Sequence, residues 1–153
     1  MKNQSPIDQQ AQLFGEIFLL SNRLQIIGDS YLEEITTKQW FLMVIIERFG
    51  EYHPTLSEVA KELGSSRQNL KQIALKLQNK GFLTIDKDAK DSRVVRLSLT
   101  KKSGQFWAGR EEQDKEFIKS LFSGVPANEI EVMLRGFSQV FSNIHKIGEK
   151  YSE

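Results

Sequence analysis

Residues 64–81 read GSSRQNLKQIALKLQNKG. Between the glycines, Leu70, Ile73, Ala74 and Leu77 fall at i, i+3, i+4 and i+7, the spacing of one buried helical stripe. The other positions carry Arg67, Gln68, Asn69, Lys71, Gln72 and Lys76, with no Asp or Glu among them. A solvated helix face ordinarily mixes charge signs. Amides and cations without a carboxylate suit a helix that meets an anion, although exposed amide-rich faces also occur on helices that bind nothing.

The neighbours of this helix give it a setting. Upstream, TLSEVAKELG (55–64) spaces Leu56, Val59, Ala60 and Leu63 as a short helix. Thr55 and Glu58 have capping-box spacing, with Ser57 as a rival cap, and Gly64 suits a left-handed C-cap. Two short helices joined by a tight glycine turn make a helix-turn-helix. Downstream, FLTID (82–86) and VVRLSL (94–99) alternate as two strands joined by the polar loop KDAKDSR (87–93).

Further out the chain is helical. Residues 7–28 place Leu13, Ile17, Leu20, Leu24 and Ile27 in a narrow seam of coiled-coil type. The stretch TTKQWFLMVIIERFG (36–50) predicts a helix capped by Thr36 or Thr37 and stopped near Gly50, with residues 40–46 apolar on nearly every side and therefore central. Thr100 is expected to cap a fifth helix running to about Phe122. A sixth begins at Pro126, with Ile130, Met133, Leu134, Phe137, Val140, Phe141, Ile144 and Ile147 in one stripe. The expected fold is mainly α with a small β-hairpin wing: a winged helix-turn-helix over 36–100, flanked by dimerisation helices over 1–35 and 101–153. The terminal apolar faces exceed what so small a middle domain can cover, which argues for a homodimer. The alternative is that they fold back into a monomeric bundle.

Bulk properties narrow the function. At 153 residues the chain has room for one domain with helical extensions, and the absence of cysteine excludes disulfides, thiolate metal sites and thiol redox sensing. MKNQSPIDQQ lacks the layout of a signal peptide and no apolar run reaches membrane-spanning length, so a cytoplasmic protein without membrane contact is expected. Net charge is +1, unevenly distributed: Lys61–Lys102 holds eleven Lys/Arg against four Asp/Glu (+7), and the remainder ten against sixteen (−6). A basic middle between acidic ends suits a polyanion such as double-stranded DNA. No nucleophile–base pair, phosphate-binding glycine loop or metal-ligand cluster is present, and His53 and His145 are the only histidines. No catalytic residue, metal or cofactor is expected.

A helix-turn-helix can lay its second helix in the major groove, where Arg67 can pair with guanine and Gln68, Asn69 or Gln72 with adenine. Lys71 and Lys76 are better placed for phosphates. A capping box between Ser65 and Gln68 would withdraw Gln68 from base reading. In the hairpin loop, Asp86, Asp88 and Asp91 sit among cations. Asp91 is spaced to hold Arg93, leaving Arg93 and Lys90 free to enter a minor groove; the alternative is a plain solvated turn.

These pieces together resemble the MarR family of bacterial transcriptional regulators, over residues 30–110. The matching stretches are TTKQWFLMVI, LSEVAKELGSS, LKLQNKGFL and DSRVVRLSLT, the last with Asp91, Arg93, Leu99 and Thr100 at the family spacing and Gly104 continuing it. The resemblance implies a winged-helix homodimer that binds a pseudo-palindromic operator, usually to repress. It also implies a recognition helix beginning near Ser66 and a wing arginine, Arg93, held by Asp91. A small, often aromatic effector is implied as well, in a crevice that Trp40, Phe41, Phe106, Trp107 and Arg110 would border unless they are ordinary core. Leu75 departs from the family's usual polar residue, and either adds to the core or touches a thymine methyl. The rival reading is a winged-helix module that contacts protein and has no operator.

Overall fold

The computed structural model describes residues 5–151; the first four residues of the N-terminal stretch and the last two of the chain lie outside it. The described residues form α1 (Pro6–Leu32), α2 (Thr37–Glu47), α3 (Leu56–Leu63), α4 (Arg67–Asn79), β1 (Leu83–Lys87), β2 (Val95–Leu99), α5 (Lys101–Ala108), α6 (Glu111–Leu121) and α7 (Ala127–Tyr151). The strands pair antiparallel with Ile85 opposite Leu97, giving the expected mainly helical class with a two-stranded wing. The chain divides into two compact units, Met1–Gly109 and Arg110–Glu153.

The core of the first unit is built around α2. Leu42, Met43, Ile45 and Ile46 are buried together with Leu56, Val59 and Ala60 of α3, Leu70, Ala74 and Leu77 of α4, and Phe82, Leu83 and Leu97 of the hairpin. The apolar run of α2 is not covered all round, however: Phe41 is exposed, and Trp40 and Val44 are half-buried. Burial of this kind contributes about 25 cal/mol per Å² of apolar surface removed from water.

Caps fix the turn between α3 and α4. Thr55 and Glu58 form the reciprocal box, without Ser57, and Gly64 closes α3 at φ 67°. Ser66 caps α4 by accepting from the Asn69 N–H, so the alternative box of Ser65 with Gln68 is not made. Ser65 instead accepts from Asn69 Nδ2 at 3.0 Å. At the far end Gly81 takes φ 81°, which a side-chain-bearing residue adopts only under strain. Its carbonyl accepts from Thr100 Oγ1 at 2.6 Å, and the Phe82 carbonyl accepts from the Thr100 N–H and the buried Ser103 hydroxyl. The Leu-Thr motif after β2 thus closes the backbone where α4 becomes β1.

Two expectations need correcting here. Thr100 stands at the N-cap of α5 but makes no side-chain cap; its hydroxyl is turned to the Gly81 carbonyl, to which it donates. The helix it begins stops at Ala108, and a separate α6 starts at Glu111. Gly109 is a poor interior helix residue, while Glu111, Glu112 and Asp114 favour the positive end of a new helix.

The junction of α1 with α2 is tight. Thr36 is the cap, boxed with Gln39, which leaves Thr37 to bind α1. The Thr37 N–H donates to Asp29 Oδ1 at 2.6 Å, and its hydroxyl donates to the Gln25 carbonyl at 3.1 Å. A Cβ on Gly28 would lie 2.3 Å from Thr37 Oγ1. Between the helices Glu33 adopts φ 56°, ψ −62°, with Glu34 N–H bonded to Leu32 O, a strained γ-turn.

Towards its N-terminus α1 exposes Leu13, Phe14, Ile17, Phe18 and Leu20, with Ile27 also exposed and Leu24 half-buried. In the second unit, the α7 stripe from Met133 to Ile147 is exposed along its length.

Gly28→Ala is expected to destabilise the fold by about 1–3 kcal/mol despite alanine's better helix propensity, because the methyl displaces Thr37. Chemical denaturation measures this; a gain in stability would show that the junction adjusts freely.

Candidate nucleic-acid interface

Packing of α4 orients its polar residues. With Leu70, Ala74 and Leu77 inward, Arg67, Gln68, Asn69, Lys71, Gln72 and Lys76 are all exposed, as is the capping Ser66. Asn69, Gln72 and Lys76 also line a cleft of about 350 Å³, whose other wall includes Asp29 of α1 and Lys38 and Gln39 of α2. Leu75 is half-buried on the same helix.

The wing is held by its aspartates. Arg93 donates Nε and Nη2 to the two oxygens of Asp91, each at 3.0 Å, and the Arg93 N–H also reaches Asp91 Oδ1. These bonds lower the Asp91 pKa and raise that of Arg93. The Arg93 side chain nevertheless remains 88% exposed at the loop, beside exposed Lys90. A cation shaped by a neighbouring carboxylate and still open to solvent can meet a phosphate or a narrow groove.

A second network joins this loop to the helix-turn-helix. Asp88 Oδ1 accepts from the N–H groups of Lys90 and Asp91, while Oδ2 accepts from Arg96 Nε. Arg96 Nη1 donates to Tyr52 Oη at 3.1 Å and to the His53 carbonyl at 2.8 Å. Tyr52 Oη in turn donates to the Glu58 carboxylate that caps α3. The Arg96 bond and the two amide bonds pull the Asp88 pKa down to about 2. Sequence reading missed Arg96, Tyr52 and Glu58 in this role. The signal was faint: register sets Arg96 opposite Asp86, yet its partner is Asp88, two residues along the same face.

The remaining sequence candidates fall elsewhere. Trp40, Phe106 and Trp107 pack partly buried against the core, with Phe106 edge-on to Phe82 at 5.5 Å. Phe41 is exposed, and Arg110 belongs to the second unit. Of the basic residues in the middle region, Lys80 donates to the Glu34 carbonyl and Lys102 pairs with the Glu34 carboxylate, so part of the local charge holds the α1–α2 junction. Among the described residues there is no group of three or more His, Asp or Glu able to hold a metal, and no helix long and apolar enough to cross a membrane.

No family model matches the chain. Solved structures do match it. A MarR protein from Peptoclostridium difficile aligns with a TM-score of 0.78 at 19% identity, over 95% of this chain and 92% of that one. A MarR transcriptional regulator from Methanosarcina mazei Go1 aligns with a TM-score of 0.79 at 21% identity, over 90% and 99% respectively. MepR of S. aureus, solved as a complex with DNA, gives 0.73 at 21% identity, over 87% and 96%. The chain therefore has the winged-helix fold of the MarR regulators over nearly its whole length.

Because its pKa is depressed, the stabilisation Asp88 gives the wing is complete above the ordinary carboxylate value of 3.8 and is lost as pH falls towards 2. An NMR titration of its carboxyl carbon should find a midpoint near 2; a midpoint near 3.8 would show that the Arg96 and amide bonds do not persist in solution.

Proposed function

We propose that this chain is a sequence-specific DNA-binding transcriptional regulator rather than an enzyme, binding a pseudo-palindromic operator as a homodimer and acting as a repressor. The observation that carries the reading is the carboxylate-free exposed face of α4 beside a wing whose Arg93 is shaped by Asp91 and left open to solvent. That three structures of this fold include one complexed with DNA supports it. In the proposed complex α4 lies in the major groove with Arg67, Gln68, Asn69 and Gln72 towards base edges. Lys71 and Lys76 contact phosphates, and Lys90 and Arg93 enter the flanking minor groove. A small-molecule effector held beside Trp40, Phe41, Phe106 and Trp107 of the first unit belongs to the same proposal.

The dimer part rests on the exposed apolar faces of α1 and α7, too long and continuous for scattered surface hydrophobics. Two-fold symmetry then places half-sites about one helical turn apart, ~10–10.5 base pairs between centres.

Selection from random duplex DNA at two salt concentrations tests the reading. It should recover such a palindrome, and Arg93→Ala should weaken binding and flatten the salt dependence by about one unit of slope. Strong binding without an enriched motif would make the chain a non-specific DNA binder, and no binding would favour a protein-contact module. Separately, Phe137→Asp should yield monomers in sedimentation; a persistent dimer would take the α7 stripe out of the interface.

A further inference from the structure

On the DNA-binding reading, Arg93 and α4 meet one duplex together when the loop that carries Arg93 keeps a fixed angle to α4. The middle of β2 is fastened by backbone, since the Leu97 N–H donates to the Pro54 carbonyl at 2.9 Å and Arg96 bridges to Thr55. Among the described residues, the loop before it has no such backbone support from the helices. Its closing bonds, Asp88 N–H to Val94 O and Val94 N–H to Asp91 O, are internal to the hairpin. What crosses to the helix-turn-helix is the Arg96 side chain, which binds Asp88 on one side and Tyr52 and His53 on the other. The guanidinium also lies 5.4 Å from the centroid of the Tyr52 ring. From Tyr52 the chain of bonds continues through Glu58 to the first turn of α3, the helix whose glycine turn sets the start of α4.

We propose that Arg96 is a positioning residue that locks the wing loop to the helix-turn-helix through Asp88, Tyr52 and Glu58, so that Arg93 and α4 engage one DNA duplex together. The proposal rests on the DNA-binding reading above. A planar fork is needed, because one side chain must serve a carboxylate, a hydroxyl and a carbonyl at once, which the single ammonium of lysine does poorly.

The test is a double-mutant cycle with the operator recovered by selection, using the full chain. Arg96→Met keeps an aliphatic stem and removes the fork. It should lower affinity and cut the salt slope by about one unit, as Arg93→Ala does. Adding Arg93→Ala to the Arg96→Met protein should then change affinity by no more than about twofold. Arg96→Lys should behave like Arg96→Met. If Arg93→Ala costs its full factor in both backgrounds, or if Arg96→Lys restores wild-type binding, the proposal falls and Arg96 acts as a simple charge.

A readout without DNA separates the two ideas. In free Arg96→Met protein the Lys90 and Asp91 amides should exchange at least about tenfold faster, while α4 amides keep their rates. Unchanged exchange at the loop overturns the lock even if DNA binding is confirmed. Accelerated exchange with no DNA binding by the wild type would sustain the lock and sink the functional reading. Should Arg96→Met loosen α4 as well, Tyr52→Phe decides: it removes one hydroxyl and should speed loop exchange alone.

Discussion

Leu70, Ala74 and Leu77 have no exposed surface, and the direction of every polar side chain on α4 follows from that burial. A Leu side chain fully withdrawn from water contributes roughly 1.5–3 kcal/mol, more than an exposed amide or cation can recover by turning the helix differently. The stripe is met by Leu42, Met43, Ile45 and Ile46 of α2, which sits among the core-forming elements and so has little polar surface of its own. With the inward arc fixed, Gln68, Lys71 and Gln72 are left outside as a consequence of packing. The candidate site is what the packing of the core leaves exposed.

The wing obeys a different logic. A two-stranded hairpin is marginal by itself, and here it is secured at two levels. Near α4, Thr100 and Ser103 satisfy the carbonyls of Gly81 and Phe82, and Leu83 and Leu97 enter the core. At the loop, Asp88 and Asp91 take the N–H groups of residues 90, 91 and 93 while each also holds an arginine. Aspartates in a basic loop therefore do not contradict an anionic partner. Their charge is matched locally, and each does for the loop what a strand neighbour does elsewhere.

This division explains what could be read without coordinates. The α3–α4 pair, its Thr55 box and Gly64 cap, the two strands and the Asp91–Arg93 fork were legible because each is a short-range pattern with one dominant physical cause. The α5–α6 break was not, because Gly109 can sit inside a helix at a cost of about 1 kcal/mol, and the acidic start at Glu111 is equally compatible with a continuous helix. The α4 cap was ambiguous because Ser65 and Ser66 are chemically equivalent, and the choice of Ser66 turns Asn69 back towards Ser65. The Arg96 network was hidden for another reason. It links residues 44 and 8 positions apart in sequence, and such closures leave no periodic trace.

The same reasoning applies to the junction of α1 with α2. A flexible link would be free of strain and rich in small polar residues, yet here Glu33 is held in an unfavourable conformation between helices locked at Gly28 and Thr37. Lys80, just past α4, and Lys102 of α5 both bind Glu34, so the strained turn is tied to the far end of the recognition-type helix. Strain of about 1–3 kcal/mol persists only where surrounding contacts over-determine the backbone. A dimer assembled through α1 would consequently carry α4 at an angle set by this joint, and the separation of two such helices would be a property of packing at Gly28 and Glu34. Half-site spacing on DNA would then be decided some distance from any residue that touches a base.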